Sequence, residues 1–341
     1  MNSVSLKDKL NRPIHDLRIS VIDRCNFRCP YCMPEEGAKT YSFLEQSAWL
    51  TYEEITRLVR LFVQMGVKKI RLTGGEPLLR PNLVDLIKQL SLIPQIEDLA
   101  LTTNGSLLAQ HARALKDAGL HRITVSLDSL DARLFRLMSG NRGSVQQILE
   151  GIQAAEKAGF SSIKINVVVQ RGVNDHSVLE MVGHFKGTGH VLRFIEFMDV
   201  GNCNHWDSKY VLPSAKIVEL INEKYPLEPL ESGYFGEVAS RYRYKDGAEG
   251  EIGFISSVSQ PFCGTCTRAR LSADGQIVTC LFADHGKDVR ALMRAGASDS
   301  ELLDLIRSVW KNREDRYSEL RHELIKDKHP PHKIEMFQVG G

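Results

Sequence analysis

The sequence predicts an α/β fold: a partial barrel of six βα units whose missing wall is covered by the rest of the chain. Three observations lead there. Between residue 14 and about residue 198, short β-branched or aliphatic runs recur, each followed by apolar residues at helical spacing. Gly66, Gly119 and Gly159 stand where the intervening helices would end. Six such units fit the spacing, fewer than the eight of a closed barrel, which predicts an open sheet with its chemistry at the strands' C-terminal ends.

The predicted strands are Leu17–Ile22, Lys69–Thr73, Asp98–Thr103, Arg122–Ser126, Ile163–Val169 and Val191–Phe197, and the predicted helices are Thr51–Met65, Leu83–Leu92, Leu107–Ala118, Val145–Ala158 and Ser177–Phe185. Past residue 210 the alternation ends. A helix near Ser214–Glu223 is followed by a Gly-, Pro- and Tyr-containing region with hairpins expected at Tyr242–Gly253 and Arg270–Val278. Ser298 with Glu301 makes a capping box, opening a long helix with Leu302, Ile306, Val309, Tyr317, Leu320 and Leu324 on its apolar positions before Pro330 and Pro331. The organisation expected is a barrel over residues 1–230 and a C-terminal region over 231–341.

Composition narrows the class. The chain has 341 residues, 43% of them hydrophobic, and a formal net charge of +2, which leaves no broad basic footprint for a nucleic acid. Any anionic partner is therefore expected to be small. The segment Met1 to Leu17 lacks the apolar run of a signal peptide, and no stretch approaches a membrane span. A cytoplasmic location is expected, and in a reducing compartment the seven cysteines read as metal ligands rather than disulfides.

Cys25, Cys29 and Cys32 form CxxxCxxC on the loop after the first strand. Three thiolates there can hold three irons of a [4Fe–4S] cluster, leaving the fourth iron open to a small molecule. The alternative is a zinc site, which would want a fourth Cys or His at ligand spacing nearby. After the second strand comes Thr73-Gly74-Gly75-Glu76-Pro77, whose glycines let the backbone approach a ligand closely. Later strand ends carry Thr102-Thr103-Asn104-Gly105 and Ser126-Leu127-Asp128-Ser129, each of which also reads as an ordinary helix cap.

Cys263, Cys266 and Cys280 make a second triplet, CxxC and a third cysteine across the predicted hairpin. Cys203 lies outside both and reads as a free thiol, or else a fourth ligand. Arg268 and Arg270 would share one face of a strand. With Arg18, Arg71, Lys164 and Arg193 at strand ends and site loops, they suit a polyanion, since guanidinium forks match phosphate oxygens, although any one of them can equally be a solvated surface charge. The chain finishes in Gly340-Gly341 after an apolar segment, either a tail that threads into a crowded site or a frayed end.

LRISVIDRCNFRCPYCMP, TGGEPLLR, CGTCTRARLSADG and the terminal GG together resemble the GTP 3′,8-cyclase family of radical S-adenosylmethionine enzymes, over almost the whole chain. The resemblance implies two [4Fe–4S] clusters, one on Cys25, Cys29 and Cys32 and one on Cys263, Cys266 and Cys280. It implies S-adenosylmethionine held at Tyr31, Gly74, Gly75, Glu76, Ser126 and Met198. GTP is implied at Arg18, Arg71, Thr102, Lys164, Arg193, Arg268, Ala269 and Arg270, with Gly340, Gly341 and Arg193 in catalysis. In that chemistry a 5′-deoxyadenosyl radical takes the C3′ hydrogen of GTP, and the ribose radical attacks guanine C8, as the first step of molybdenum cofactor biosynthesis. The implied partners are an external reductant and the downstream cyclic pyranopterin monophosphate synthase, and a homodimer is compatible with the sequence. Ile22, where many relatives have threonine, touches none of these roles. Two rivals stay open: a peptide-modifying radical S-adenosylmethionine enzyme, and a zinc-stabilised binding module.

Overall fold

A computed structural model describes residues 6–324 and 333–340. One mixed sheet organises it. β1 (Asp16–Ser20), β2 (Lys69–Thr73), β3 (Asp98–Thr103), β4 (Arg122–Ser126), β5 (Lys164–Val169) and β6 (Val191–Glu196) lie side by side in chain order, all parallel. Parallel neighbours need crossovers, and amphipathic helices supply them. The first long one, Tyr52–Gln64, opens on a Thr51/Glu54 capping box and buries Ile55, Leu58, Val59, Leu61 and Phe62 against the sheet, ending at Gly66 with φ 111°. Leu83–Ser91, Leu108–Asp117, Val145–Lys157 and Val178–Phe185 follow the same plan.

The C-terminal region extends this sheet at both edges. β7 (Leu227–Leu230), β8 (Ser240–Tyr244) and β9 (Glu251–Ile255) form an antiparallel meander whose last strand runs parallel to β6. β10 (Arg268–Leu271) runs parallel to β1, with β11 (Gln276–Val278) and β12 (Lys287–Asp288) beyond it. The order therefore ends at β12 on one side and β7 on the other, with no ladder joining them among the described residues. The wall missing from the six-strand barrel is narrowed by added strands, and the sheet itself stays open.

Two expectations need revision. Ala132–Met138 is an additional helix, capped by Asp131, between β4 and the helix Val145–Lys157. The long C-terminal helix starts at the Ser298/Glu301 capping box as predicted but stops at Lys311, and a separate helix runs from Tyr317 to Leu324. The cause is Arg313, whose buried guanidinium donates to Asp8 and to the Cys266 carbonyl and pulls the chain inward. Pro330 and Pro331 lie outside the described residues.

Candidate active site

The sheet's inner face is written by register. Arg18 on β1 stands opposite Arg71 on β2 and Arg270 on β10, and Asp16 stands opposite Lys69 and Arg268. Side chains of one row on adjacent strands project to one face. They line a single cavity of about 310 Å³, within the size range of small-molecule sites. Lys164 and Arg193 face it from β5 and β6, with Arg193 held by Asn166 at 2.9 Å. Gly253 on β9, opposite Arg193, makes the room, since a Cβ there would stand 3.1 Å from the Arg193 side chain.

The same cavity receives both cysteine triplets. The first loop leaves β1 and is pinned by the second: Gly75 N–H donates to Ile22 O at 2.8 Å and Glu76 N–H to Arg24 O at 2.9 Å. A Cβ on Gly75 would come within 2.2 Å of Arg24 O, so glycine here admits the cysteine loop's backbone as well as a ligand. Donors already aim at sulfur. Phe27 N–H lies 3.4 Å and Asn104 Nδ2 3.8 Å from Cys25 Sγ, as donors do that support a cluster thiolate. On the second triplet, Arg313 Nη2 donates to Cys266 Sγ at 3.0 Å. Among the described residues, no three His, Cys, Asp or Glu side chains gather closely enough for one metal ion. Three thiols with backbone, amide and guanidinium donors aimed at sulfur are a donor set suited to a cluster.

Electrostatics divide the cavity. Burial pushes the Cys25 thiol up to about 11, helped by Glu76, and raises Cys29 and Cys32 as well. Burial would raise Cys266 too, but Arg268 and Arg313 outweigh it and bring that thiol down to about 7. Among the described residues no ion pair engages Arg18, Arg71, Lys164, Arg193, Arg268 or Arg270. Burial and mutual repulsion lower Lys164 to about 7 and Arg193 to about 9. Burial with the charge of Arg268 brings Arg270 to about 10. These are basic groups facing a space open to a ligand.

Not every expected residue lines the cavity. Tyr31, Gly74, Gly75, Ser126, Met198 and Thr102 do. Glu76 is fully buried, and its carboxylate is turned back to accept from Thr103 Oγ1 and Asn104 N at 2.7 Å and from Leu78 N at 3.1 Å. Ala269 points into the core between its two arginines. Gly340 meets the site from the tail: its carbonyl accepts from Arg270, and a Cβ on it would collide with Thr73 at 2.1 Å. Gly341 lies outside the described residues. Cys203 is not on the cavity wall; its thiol donates to Glu335 at 3.0 Å.

Over 341 residues, all of this chain and 99% of the relative, the sequence is 53% identical to a GTP 3′,8-cyclase of Xanthomonas campestris. It is 49% identical to that of Acidothermus cellulolyticus and 48% identical to that of Staphylococcus epidermidis, in each case across 98% of this chain and 99% of the relative. The chain belongs to the GTP 3′,8-cyclase family. Residues 19–185 of this family member match the radical SAM superfamily model, and residues 190–319 match Molybdenum Cofactor Synthesis C. Family membership brings S-adenosylmethionine and an iron–sulfur cluster with it.

Among solved structures, Streptococcus suis SuiB bound to S-adenosylmethionine superposes with a TM-score of 0.64 over 97% of this cyclase-family chain and 79% of its own, at 14% identity. The enzyme anSMEcpe with AdoMet and a peptide gives 0.53 over 93% and 86%, at 15% identity. These likenesses establish the fold. Sequence reasoning missed several groups that the cyclase-family fold brings to the site. Asp128, part of the strand-end motif already singled out, accepts from the Tyr31 hydroxyl at 2.7 Å, a partner the sequence did not give, and is raised by burial to about 6. Lys69 lies 3.2 Å from the Tyr234 ring centroid, and Arg122 pairs with Asp98. The placement of Asp128 in the strand-end motif was the available signal, while Arg313 and Tyr234 carried none.

Proposed function

We propose that this chain converts GTP into 3′,8-cyclo-7,8-dihydro-GTP, the opening step of molybdenum cofactor biosynthesis. The observation that carries the reading is one cavity receiving two cysteine triplets and six cations without ion-pair partners among the described residues, in a chain of this family. Cys25, Cys29 and Cys32 would hold one [4Fe–4S] cluster and Cys263, Cys266 and Cys280 a second, three thiolates each. When bound, the first cluster and S-adenosylmethionine supply the one-electron chemistry that removes a hydrogen atom from the ribose.

The chain's own residues do the rest. Tyr31, Gly74, Gly75, Ser126 and Met198 seat S-adenosylmethionine, and Glu76 braces that loop from beneath. Arg18, Arg71, Lys164, Arg193, Arg268 and Arg270 hold the triphosphate, for which guanidinium forks are the matching geometry. Thr102 and the main chain at Ala269 add contacts to GTP. Arg193 with Gly340 and Gly341 completes the catalytic end, where the tail closes the cavity wall and excludes water. Residues 1–230 thus serve the cofactor end and 231–341 the second cluster and tail. An external reductant supplies the electrons, and cyclic pyranopterin monophosphate synthase consumes the product. No helix among the described residues is long and apolar enough to cross a membrane. A cytoplasmic location and compatibility with a homodimer remain part of this proposal.

The test is anaerobic reconstitution with iron and sulfide. About eight irons per chain are expected for two cubanes, together with 5′-deoxyadenosine and a cyclised nucleotide formed only when GTP, S-adenosylmethionine and dithionite are all present. A colourless zinc protein, or turnover that needs a peptide and ignores GTP, overturns the reading.

A further inference from the structure

We propose that Asp199 is the positioning residue that locks the C-terminal tail over the cavity, an inference resting on the catalytic role assigned above to that tail. Asp199 follows Met198 on the segment leaving β6 and does not itself line the cavity. Its buried carboxylate accepts from Arg321 Nε at 2.9 Å, from Lys333 Nζ at 2.8 Å and from the Tyr317 hydroxyl. Lys333 Nζ also donates to Asp199 O at 2.9 Å and to Tyr317 at 2.6 Å, so all three ammonium protons are used. Arg321 is 1% exposed and Lys333 5%. A cation before residues 325–332 and another after them therefore converge on one carboxylate, and the tail's start is fixed whatever path the link takes.

From that anchor the tail runs straight to the site. Glu335 accepts from Asn202 N–H at 2.9 Å and from the Cys203 thiol, both four residues or fewer from Asp199, and caps the helix Met336–Val339. Phe337, 1% exposed, packs edge-on to Tyr41 at 4.9 Å. Gly340 then reaches Arg270 and Thr73. The clasp touches the second triplet as well, because Tyr317 stacks on Phe282 at 4.5 Å, two residues after Cys280. One carboxylate thus sets the spacing between the Met198 strand end, the Cys280 loop and the tail. A buried carboxylate with two cations is costly to break from one side, since removing a partner strands the remaining charges. That cost favours a single closed arrangement.

The experiment uses the full-length reconstituted protein with Asp199→Asn and with Lys333→Met, the latter leaving the Asp199–Arg321 pair intact. Hydrogen exchange of the amides over 336–340 is read beside iron content and the ratio of 5′-deoxyadenosine to cyclised nucleotide. Expected are tail amides exchanging at least about tenfold faster, unchanged protection in β1–β6, unchanged iron, and product formation reduced on the order of 100-fold, as for a misplaced catalytic group. Asp199→Glu should recover part of the loss. Should Asp199→Asn fail to fold, Lys333→Met decides. Tail amides as protected in Lys333→Met as in the parent, or faster exchange with product formation unchanged, overturn the proposal. A chain lacking Gly340 and Gly341 that still cyclises GTP instead refutes the role assigned to the tail, a result separable from the exchange data.

Discussion

The two cysteine triplets share one cavity and differ in what surrounds them. Around Cys25, Cys29 and Cys32 burial raises the thiols, and the neighbours that raise them further are the other cysteines and the carboxylates Glu76, Asp128 and Glu335. Around Cys266 they are the guanidiniums of Arg268 and Arg313, which lower its thiol to about 7 against the effect of burial, while burial and Asp315 push Cys280 up to about 12. The difference matches the ligands. In the proposed function S-adenosylmethionine brings a sulfonium and an ammonium to the first triplet, and GTP brings an anion to the arginine-lined part of the cavity. A cavity with one uniform potential would hold one of them poorly.

The largest effect that can break this comparison comes from removing one ligand of each triplet. Cys29→Ala and Cys266→Ala are each expected to lose about half the iron, with only Cys29→Ala abolishing reductive cleavage of S-adenosylmethionine; if Cys266→Ala loses all of its iron, the two centres are not independent. Next in size, Arg270→Ala removes a buried cation and is expected to weaken GTP binding by about 1.5–3 kcal/mol, ten- to about a hundredfold. Calorimetry should find S-adenosylmethionine affinity unchanged.

Lys164 sharpens the comparison through pH. Its ammonium titrates near 7 in the free protein because burial, then Arg193 and Arg122, disfavour the charge. Phosphate favours the charged form, so GTP binding should take up a proton and weaken as pH rises through and above 7. Lys164→Arg, which does not titrate there, should remove that proton uptake when binding heats are compared in two buffers. The smallest effect is expected at the acidic end: Tyr31→Phe, which deletes the hydrogen bond to Asp128, should weaken S-adenosylmethionine by about 1 kcal/mol and leave GTP alone.

Much of the scaffold was legible. β2, β3 and β4 begin and end where their β-branched and aliphatic runs do, and the Ser298/Glu301 capping box forms as its spacing requires. The short helix Ala132–Met138 escaped because seven residues show too little periodicity, and the break after Lys311 escaped because its cause, Asp8, lies at the other end of the chain. In the site, the two triplets and the GGEP turn were readable as contiguous spacing. Asp199 and Arg313 look like ordinary charges until their partners arrive.

By itself, then, the sequence determined whatever depends on neighbours along the chain: strand and helix type, helix caps, the loop that carries three thiols and the arginines that alternate on β10. Only the tertiary structure decided that Arg18, Arg71 and Arg270 stand in one row, that Gly253 clears space for Arg193, and that Lys333 and Arg321 meet on Asp199. Local conformation follows from backbone sterics and side-chain period, within the reach of a few residues. A charge's environment follows from burial and from groups hundreds of residues away, which strand register and packing bring together.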